Sequence, residues 1–242
     1  KAGRIPGGRC YGYDVLPGEE RGCRAINEGE AAVLRRIYTD YVAGVAPKQI
    51  VSALNAEGLP GPRGGTWSTS TLIGSAKRQN GILNNELYAG RIVYNRQRFM
   101  KDPATGKRQA RMNPVDEWQR QDVPELAIID EALWQAAQAR RTDRAHKAHP
   151  RTQRRPKRLL SGLVKCGSCG ANMIVRSRNY VGCSARANRG TCENNRDVDM
   201  GEIERRVLDA LLKSRGDRTL VLIAHRLGNL TEVDVIHVLE NG

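Results

Sequence analysis

The pattern of apolar residues begins with a short strand and a long amphipathic helix. A glycine-rich opening reads as an extended arm, and a short strand is predicted over residues 13–16. From residue 28 to residue 43 the apolar positions recur at helical spacing and form one stripe. Asn27 can cap this helix, and Glu30 stands where a capping box requires an acid.

Further along, helical spacing predicts a unit that resembles a helix-turn-helix. Pro47 suits the first turn of a helix that runs to about residue 57, where glycines and prolines end it. Ser68 or Thr69 caps a short helix after this turn. Helix, glycine-containing turn and short helix resemble a helix-turn-helix, although such a pair also occurs as ordinary core. Asp130 caps a later amphipathic helix.

The middle of the chain carries the signals for a small hairpin. Residues 82–98 begin as a helical turn and continue as a strand in which Ile92 and Tyr94 alternate with polar residues. Residues 101–117 are polar, contain proline and glycine, and predict the loop of a hairpin. Its second strand is predicted over residues 117–123. The fold class is therefore α+β, a helical and mixed domain with a small hairpin.

The net charge is strongly positive and unevenly distributed. Forty Lys and Arg against 26 Asp and Glu give +14 at pH 7, which predicts a polyanionic partner, by default nucleic acid. The densest run, residues 140–158, has nine Lys or Arg and one acid. It predicts a basic linker, which either is a solvated tether or contacts phosphates. The longest aliphatic stretch, residues 220–224, is too short for a membrane helix, and the chain shows no secretory leader, so a cytoplasmic protein without membrane contact is expected.

Four of the six cysteines are spaced like metal ligands. They are Cys166, Cys169, Cys183 and Cys192. Four thiolates complete a tetrahedral zinc site, so the prediction is one structural zinc ion, in a zinc ribbon whose hairpin pairs residues 173–175 with 180–182. One alternative is two disulfides, which are rare in cytosolic proteins. The other is a redox dithiol, which requires a thioredoxin-like βαβ arrangement that the sequence does not predict. Cys10 and Cys23 are expected to be free thiols.

Several separated motifs occur in an order typical of one family. They are Gly-Gly-Arg-Cys-Tyr-Gly-Tyr (7–13), the helix 30–41, residues 50–59 with Leu54-Asn55, Trp67-Ser68, Ile-Leu-Asn-Asn-Glu-Leu-Tyr-Ala-Gly (82–90) and Cys-Gly-Ser-Cys-Gly (166–170). Together they resemble the C-terminal half of the large serine recombinases, the phage-type integrases and transposases. The resemblance covers roughly residues 3–213, and it is more specific than any single motif.

The resemblance implies an order of domains and a function. It implies a recombinase DNA-binding domain over residues 1–139, the basic linker over 140–158, a zinc ribbon over 159–198 and a helix over 199–215. In the family, both domains grip one half of an attachment site on double-stranded DNA, while an N-terminal catalytic domain cuts DNA through a serine. No catalytic residue is expected in this chain, because its first serine, Ser52, falls within an apolar-patterned helix. A dimer or tetramer on DNA is expected to form through other parts.

The positions of basic and hydroxyl residues suggest where DNA would be contacted. The short helix is the candidate for the major groove, the glycine-rich arm for the minor groove, and each cation alone could equally be a solvated surface charge. The candidates are Arg4, Arg9, Arg63, Thr69, Ser70, Thr71, Lys77, Arg78, Arg96, Arg98, Arg154, Arg155, Lys157, Arg158, Arg176 and Arg178.

The last residues, 216–242, depart from the family. They are predicted to form a strand–helix–strand tail that resembles the switch-histidine segment of ABC-transporter ATPases, with His225 as the counterpart of that histidine. ATP hydrolysis is not expected, since the sequence has no phosphate-binding Gly-x4-Gly-Lys-Ser/Thr loop. The alternative to a recombinase DNA-targeting region is a stand-alone zinc-ribbon module that binds nucleic acid. A fragment of an ATPase is the third class of function that the sequence brings into consideration.

Overall fold

The computed structural model describes residues 8–17, 22–75, 78, 80–147, 160–177 and 179–214. The chain divides into two compact units: Lys1–Pro150 with Asn188–Thr191, and Arg151–Ala187 with Cys192–Gly242. Among the described residues, no helix combines the length and the apolar character needed to cross a membrane. The predicted tail, residues 216–242, lies outside the described residues.

The first unit contains the four predicted helices, which confirms the helical part of the pattern. They are α1 (Glu28–Val42), α2 (Pro47–Ala56), α3 (Thr69–Ile73) and α4 (Glu131–Lys147). Single turns of 3-10 helix occupy Pro62–Gly64, Ile82–Asn84, Glu86–Ala89, Val115–Glu117 and Pro124–Leu126. Helix α4 continues through residues 140–147 of the stretch predicted as linker, and the rest of that stretch, 148–158, lies outside the described residues.

The start of α1 confirms one half of the predicted capping box and corrects the other. The side-chain oxygen of Asn27 accepts from the backbone N–H of Glu30 at 3.1 Å, as an N-cap should. The Glu30 carboxylate does not return to the backbone of Asn27. It accepts from the N–H of Gly12 at 2.6 Å and from Arg9 at 2.7 Å. The N–H of Asn27 donates to the Gly12 carbonyl instead, at 3.0 Å, because the glycine-rich arm packs against the start of the helix.

Three two-stranded antiparallel sheets complete the first unit. They pair β1 (Tyr13–Val15) with β2 (Arg24–Ile26), β3 (Arg91–Tyr94) with β6 (Gln119–Asp122), and β4 (Gln97–Lys101) with β5 (Arg108–Met112). The predicted strand pair β3–β6 is confirmed, with Ile92 opposite Gln121. The loop predicted over residues 101–117 is wrong in part, because residues 97–112, here called the exposed ribbon, form a second hairpin of their own. Backbone pairing satisfies the hydrogen bonds there without apolar alternation.

Aromatic side chains form the centre of the core in the first unit. The largest fully buried ones are Trp67, Tyr13, Tyr38, Tyr41 and Tyr88. Their polar ends are satisfied: the Tyr13 hydroxyl donates to the carbonyl oxygen of Leu126 at 2.7 Å, and the Tyr38 hydroxyl donates to that of Ile82 at 2.8 Å. Burial also raises the pKa of Tyr38 well above its usual value, so this hydroxyl stays a donor. The core thereby ties the glycine-rich arm to α1 and to the turns around residues 82–88.

The described part of the second unit is a small three-stranded sheet with two helices. Its elements are β7 (Met173–Val175), β8 (Tyr180–Cys183), α5 (Ser184–Asn188), β9 (Val198–Asp199) and α6 (Met200–Ser214). The strands are antiparallel in the order β7-β8-β9. The hairpin predicted between the cysteine pairs is confirmed, and α6 occupies residues 200–214 of the stretch 199–215 that was predicted as a helix.

Candidate metal centre and nucleic-acid interface

Three local structures bring the four predicted metal ligands together. Cys166 and Cys169 lie on one tight turn, which Gly170 closes with a φ of +71° and an N–H that donates to the Cys166 carbonyl at 2.8 Å. A left-handed φ of this kind favours glycine. Cys183 ends strand β8, and Cys192 lies in the loop after α5. All four sulfur atoms lie within 4.8 Å of one another.

The sulfur–sulfur distances fit a tetrahedral zinc site. Sγ of Cys166 lies 3.9 Å from Sγ of Cys192, and Sγ of Cys169 lies 3.5 Å from Sγ of Cys183. With Zn–S bonds of about 2.3 Å, the edge of the tetrahedron is about 3.8 Å. All four are free cysteines, and these distances exceed the length of a disulfide, about 2.05 Å. Three of the four are buried and Cys169 is exposed.

Hydrogen bonds around the sulfurs shift the pKa values of two of the four thiols in opposite directions. The side-chain amide of Asn194 lies 3.3 Å from Sγ of Cys166 and, with nearby backbone N–H groups, lowers the pKa of that thiol to about 6. The N–H of Ala171 lowers the pKa of Cys169. The thiols of Cys192 and Cys183 raise it by more than this, so the net result is a pKa of about 12. A bound cation would favour the thiolate at every position. Asn194 carries no spacing signal, and the sequence analysis missed it.

Helix α3 presents hydroxyl groups that are largely engaged with one another. The Ser68 Oγ accepts from the N–H of Thr71 at 3.2 Å and is therefore the N-cap. The same oxygen lies 2.9 Å from Oγ of Ser70 and 2.8 Å from Oγ1 of Thr71. Of the three residues predicted to contact DNA, Ser70 is exposed, and Thr69 and Thr71 are half-buried.

A cavity of about 540 Å³ lies beside this helix, with Ser70 and Thr71 in its wall. Arg24, Arg91 and Arg96 also line it. The Nη2 of Arg24 donates to the Gly8 carbonyl at 2.8 Å, whereas its buried Nε and Nη1 have no hydrogen-bond partner among the described residues. Sequence reasoning missed Arg24, because nothing around a single arginine in a short strand predicts that it lines a cavity.

The remaining predicted DNA contacts are scattered over the described surface. Arg9 pairs with Glu30, Arg98 is exposed on the ribbon, and Arg176 lies 3.9 Å from a carboxylate oxygen of Asp197. Arg63 and Arg78 are exposed, and a φ of +64° places Arg63 at a sharp bend. The predicted contacts outside the described residues are Arg4, Lys77, Arg154, Arg155, Lys157, Arg158 and Arg178.

Comparison with known proteins gives two family matches and several similar structures. The family described as Recombinase matches residues 28–144, and the family described as Recombinase zinc beta ribbon domain matches residues 159–212. No curated protein matches the chain. Five chains of solved structures match it.

Two of these structures have the same identity to the chain. A chain from a crystal structure of an LSR–DNA complex is 21% identical, with a TM-score of 0.38; the match covers 87% of the present chain and 62% of that one. A chain from a study of the sequence requirements of the Listeria innocua prophage attP site is 21% identical, with a TM-score of 0.37, over 88% of the present chain and 82% of that one. The two family matches together cover more than two thirds of the sequence, in the order that its motifs predict. The chain therefore carries a region that matches the Recombinase family, followed by a region that matches the Recombinase zinc beta ribbon domain family.

Proposed function

We propose that this chain is the region of a serine site-specific recombinase that recognises one half of an attachment site on double-stranded DNA. The observation that carries the proposal is the presence of both family domains, in order, on one chain with a net charge of +14. A positive excess of this size favours a polyanion over an acidic protein or a small substrate. The compartment that suits such a protein is the cytoplasm of a bacterial cell, where the DNA lies.

In this proposal one zinc ion has a purely structural role. Cys166, Cys169, Cys183 and Cys192 would hold it, and the ion would supply a cross-link between the tight turn, strand β8 and the loop after α5. Four thiolates leave no coordination position for water, so the ion would not activate a nucleophile. Its contribution to DNA binding is to keep the zinc ribbon folded.

Binding divides into phosphate contacts and contacts that recognise bases. Cations on the linker would contact phosphates, which orient the protein without reading sequence. The exposed Ser70 on α3 can approach base edges in the major groove, where a hydroxyl can donate or accept. The alternative, a stand-alone zinc-ribbon module, predicts that changes in α3 leave binding unaffected.

We further propose that residues 1–242 bind DNA without cutting it. Strand exchange in this family uses a serine nucleophile, which must be exposed and activated. The Ser68 and Ser70 hydroxyls hydrogen-bond each other, and Ser52 lies within α2. The catalytic serine would belong to another domain of the parent recombinase, and dimers or tetramers on DNA would form through parts outside this region.

The test is a selection of DNA sites followed by equilibrium binding. Random 40-base-pair duplexes selected for binding to the whole chain should converge on one sequence. Replacing Thr69, Ser70 and Thr71 by alanine should reduce the preference for that sequence, and a supercoiled plasmid carrying it should be retarded without nicking or a covalent adduct. Failure to bind any duplex would refute the proposal. Binding that depends on the cysteines but ignores α3 would favour the stand-alone zinc ribbon instead.

A further inference from the structure

The exposed ribbon carries an excess of positive charge. Nearly every residue of β4 and β5 is exposed to solvent. Residues 97–112 include a single acid, Asp102. The exposed cations are Arg98, Lys101, Lys107, Arg108 and Arg111.

The register of the ribbon brings like charges together on both of its faces. Arg98 lies directly opposite Arg111, and Lys101 lies directly opposite Arg108. Because partners across an antiparallel pair share a face and successive residues alternate, the two pairs occupy opposite faces. Like charges directly opposite each other destabilise a sheet. The folded ribbon therefore keeps two unfavourable pairs that opposite charges at the same positions would avoid.

The one acid of the ribbon does not neutralise these cations. The carboxylate of Asp102 accepts from the N–H of Ala104 at 3.1 Å, from the hydroxyl of Thr105 at 2.8 Å and from the amide of Gln109 at 3.0 Å. These bonds, that of Thr105 first, lower the pKa of Asp102, so it serves the turn as a carboxylate. Within the part of the chain that the structure describes, no ion pair involves any of the five ribbon cations.

Two large apolar side chains on the ribbon are also exposed. Phe99 is 52% exposed and Met100 is 51% exposed, one on each face. The Arg108 guanidinium lies 4.6 Å from the centre of the Phe99 ring, which holds both side chains on one face. The core of the unit does not use Phe99 or Met100. Apolar atoms among cations suit a ligand that offers both phosphates and apolar edges, such as deoxyribose or the thymine methyl group.

We infer that the exposed ribbon enters the major groove of duplex DNA as a contact element separate from α3; this inference rests on the proposed function. The groove is about 12 Å wide and admits a two-stranded ribbon. Each five-residue strand is about 17 Å long, about half a helical turn of DNA. A groove has phosphates along both walls, which matches cations on both faces of the ribbon. A flat acidic protein surface would contact only one face.

The test uses two double variants with the same change in net charge. They are Arg98→Gln with Arg111→Gln, and Lys101→Gln with Arg108→Gln. Each should weaken binding to the selected duplex at least tenfold, and should lower the slope of log affinity against log salt by about 1.8, at about 0.9 per lost phosphate contact. The matched control is Lys48→Gln with Lys213→Gln, which removes two exposed cations from α2 and α6 that have no ion pair among the described residues, and it should leave the slope nearly unchanged.

Two further measurements separate the possible outcomes. The Arg98→Gln with Arg111→Gln variant should melt at the same temperature as the wild type or higher, because it removes a like-charge pair; in the other variant this gain is offset by loss of the contact between Arg108 and Phe99. The wild type should protect guanine N7 in the major groove from methylation, and the ribbon variants should lose part of this protection. Ribbon variants that bind, protect and respond to salt as the control does would overturn the inference while leaving the proposed function intact. A change of oligomeric state in the absence of DNA would also overturn it, by identifying the ribbon as a protein interface. A wild type that binds no duplex would refute the proposed function itself.

Discussion

Replacing Cys169 by alanine tests the metal centre with little disturbance of packing. Cys169 is the exposed member of the cluster, whereas the other three cysteines are buried. Removing its sulfur deletes a metal ligand without leaving a cavity in the core. Loss of the metal should then unfold the second unit and leave the first unit folded.

The expected magnitude follows from the small apolar core of this part of the chain: besides the cysteines, the buried apolar residues described there are Val181, Ala185, Met200 and Leu208. The buried cluster around the sulfurs contains one residue that is not a ligand, Ala185, with Ala171 and Met173 partly buried against it. The zinc ribbon family match spans residues 159–212. A domain of that length has a net stability of about 3–8 kcal/mol, from about 0.05–0.15 kcal/mol per residue. Structural zinc contributes about 10–16 kcal/mol in small zinc peptides, which exceeds that whole stability.

Metal content and hydrogen exchange measure the effect directly. The wild type should contain about one zinc per chain, and Cys169→Ala should contain much less. Backbone amides of β7 and β8 should exchange slowly in the wild type and rapidly in the variant, whereas amides of α1 should be unchanged. Cys169→His is a rescue variant, because an exposed imidazole can replace a thiolate at zinc. Cys23→Ala, in the first unit and outside the cluster, is the matched control.

Two results would contradict the reasoning. In one, Cys169→Ala keeps its zinc and its slow exchange, so the ligand set is wrong. In the other, the wild type loses its zinc to a chelator and the amides of β7 and β8 remain protected from exchange, so the metal does not stabilise the zinc ribbon.

Three further predictions concern the first unit and the linker. Gly74→Ala should lower the free energy of unfolding by about 2–4 kcal/mol in chemical denaturation, since φ is +60° and a Cβ would lie 1.6 Å from the Asn80 carbonyl oxygen. Gly44→Ala is its control, because φ is also positive there but a Cβ meets nothing within 4 Å; it should cost only about 1–2 kcal/mol. Asn27→Ala should cost about 1 kcal/mol in the same assay, through loss of the cap on α1, and a change below about 0.3 kcal/mol would contradict that role. Neutralising Arg154, Arg155, Lys157 and Arg158 should weaken binding to all duplexes alike and reduce the salt slope by about 0.9 for each lost phosphate contact, whereas an unchanged slope would make the linker only a spacer.

The sequence by itself determined the features that depend on neighbouring residues. The four helices of the first unit follow from apolar spacing and from the side chains that cap them, such as Asn27 and Ser68. The tight turn of Cys166 and Cys169 follows from their two-residue spacing and Gly170. Such features are predictable because the hydrogen bonds that define them join residues only a few positions apart.

Only the tertiary structure decided the features that depend on distant residues. The Glu30 carboxylate binds the N–H of Gly12, eighteen positions away, in place of the cap it was predicted to complete. Arg24 lines a cavity together with residues from other segments of the chain, and its side-chain Nε and Nη1 are buried without a hydrogen-bond partner among the described residues. The exposed ribbon has no buried face and therefore no apolar alternation, so the sequence predicted a loop over much of it. Its strands follow from backbone pairing alone, and backbone hydrogen bonds are available to any sequence that contains no proline at the paired positions.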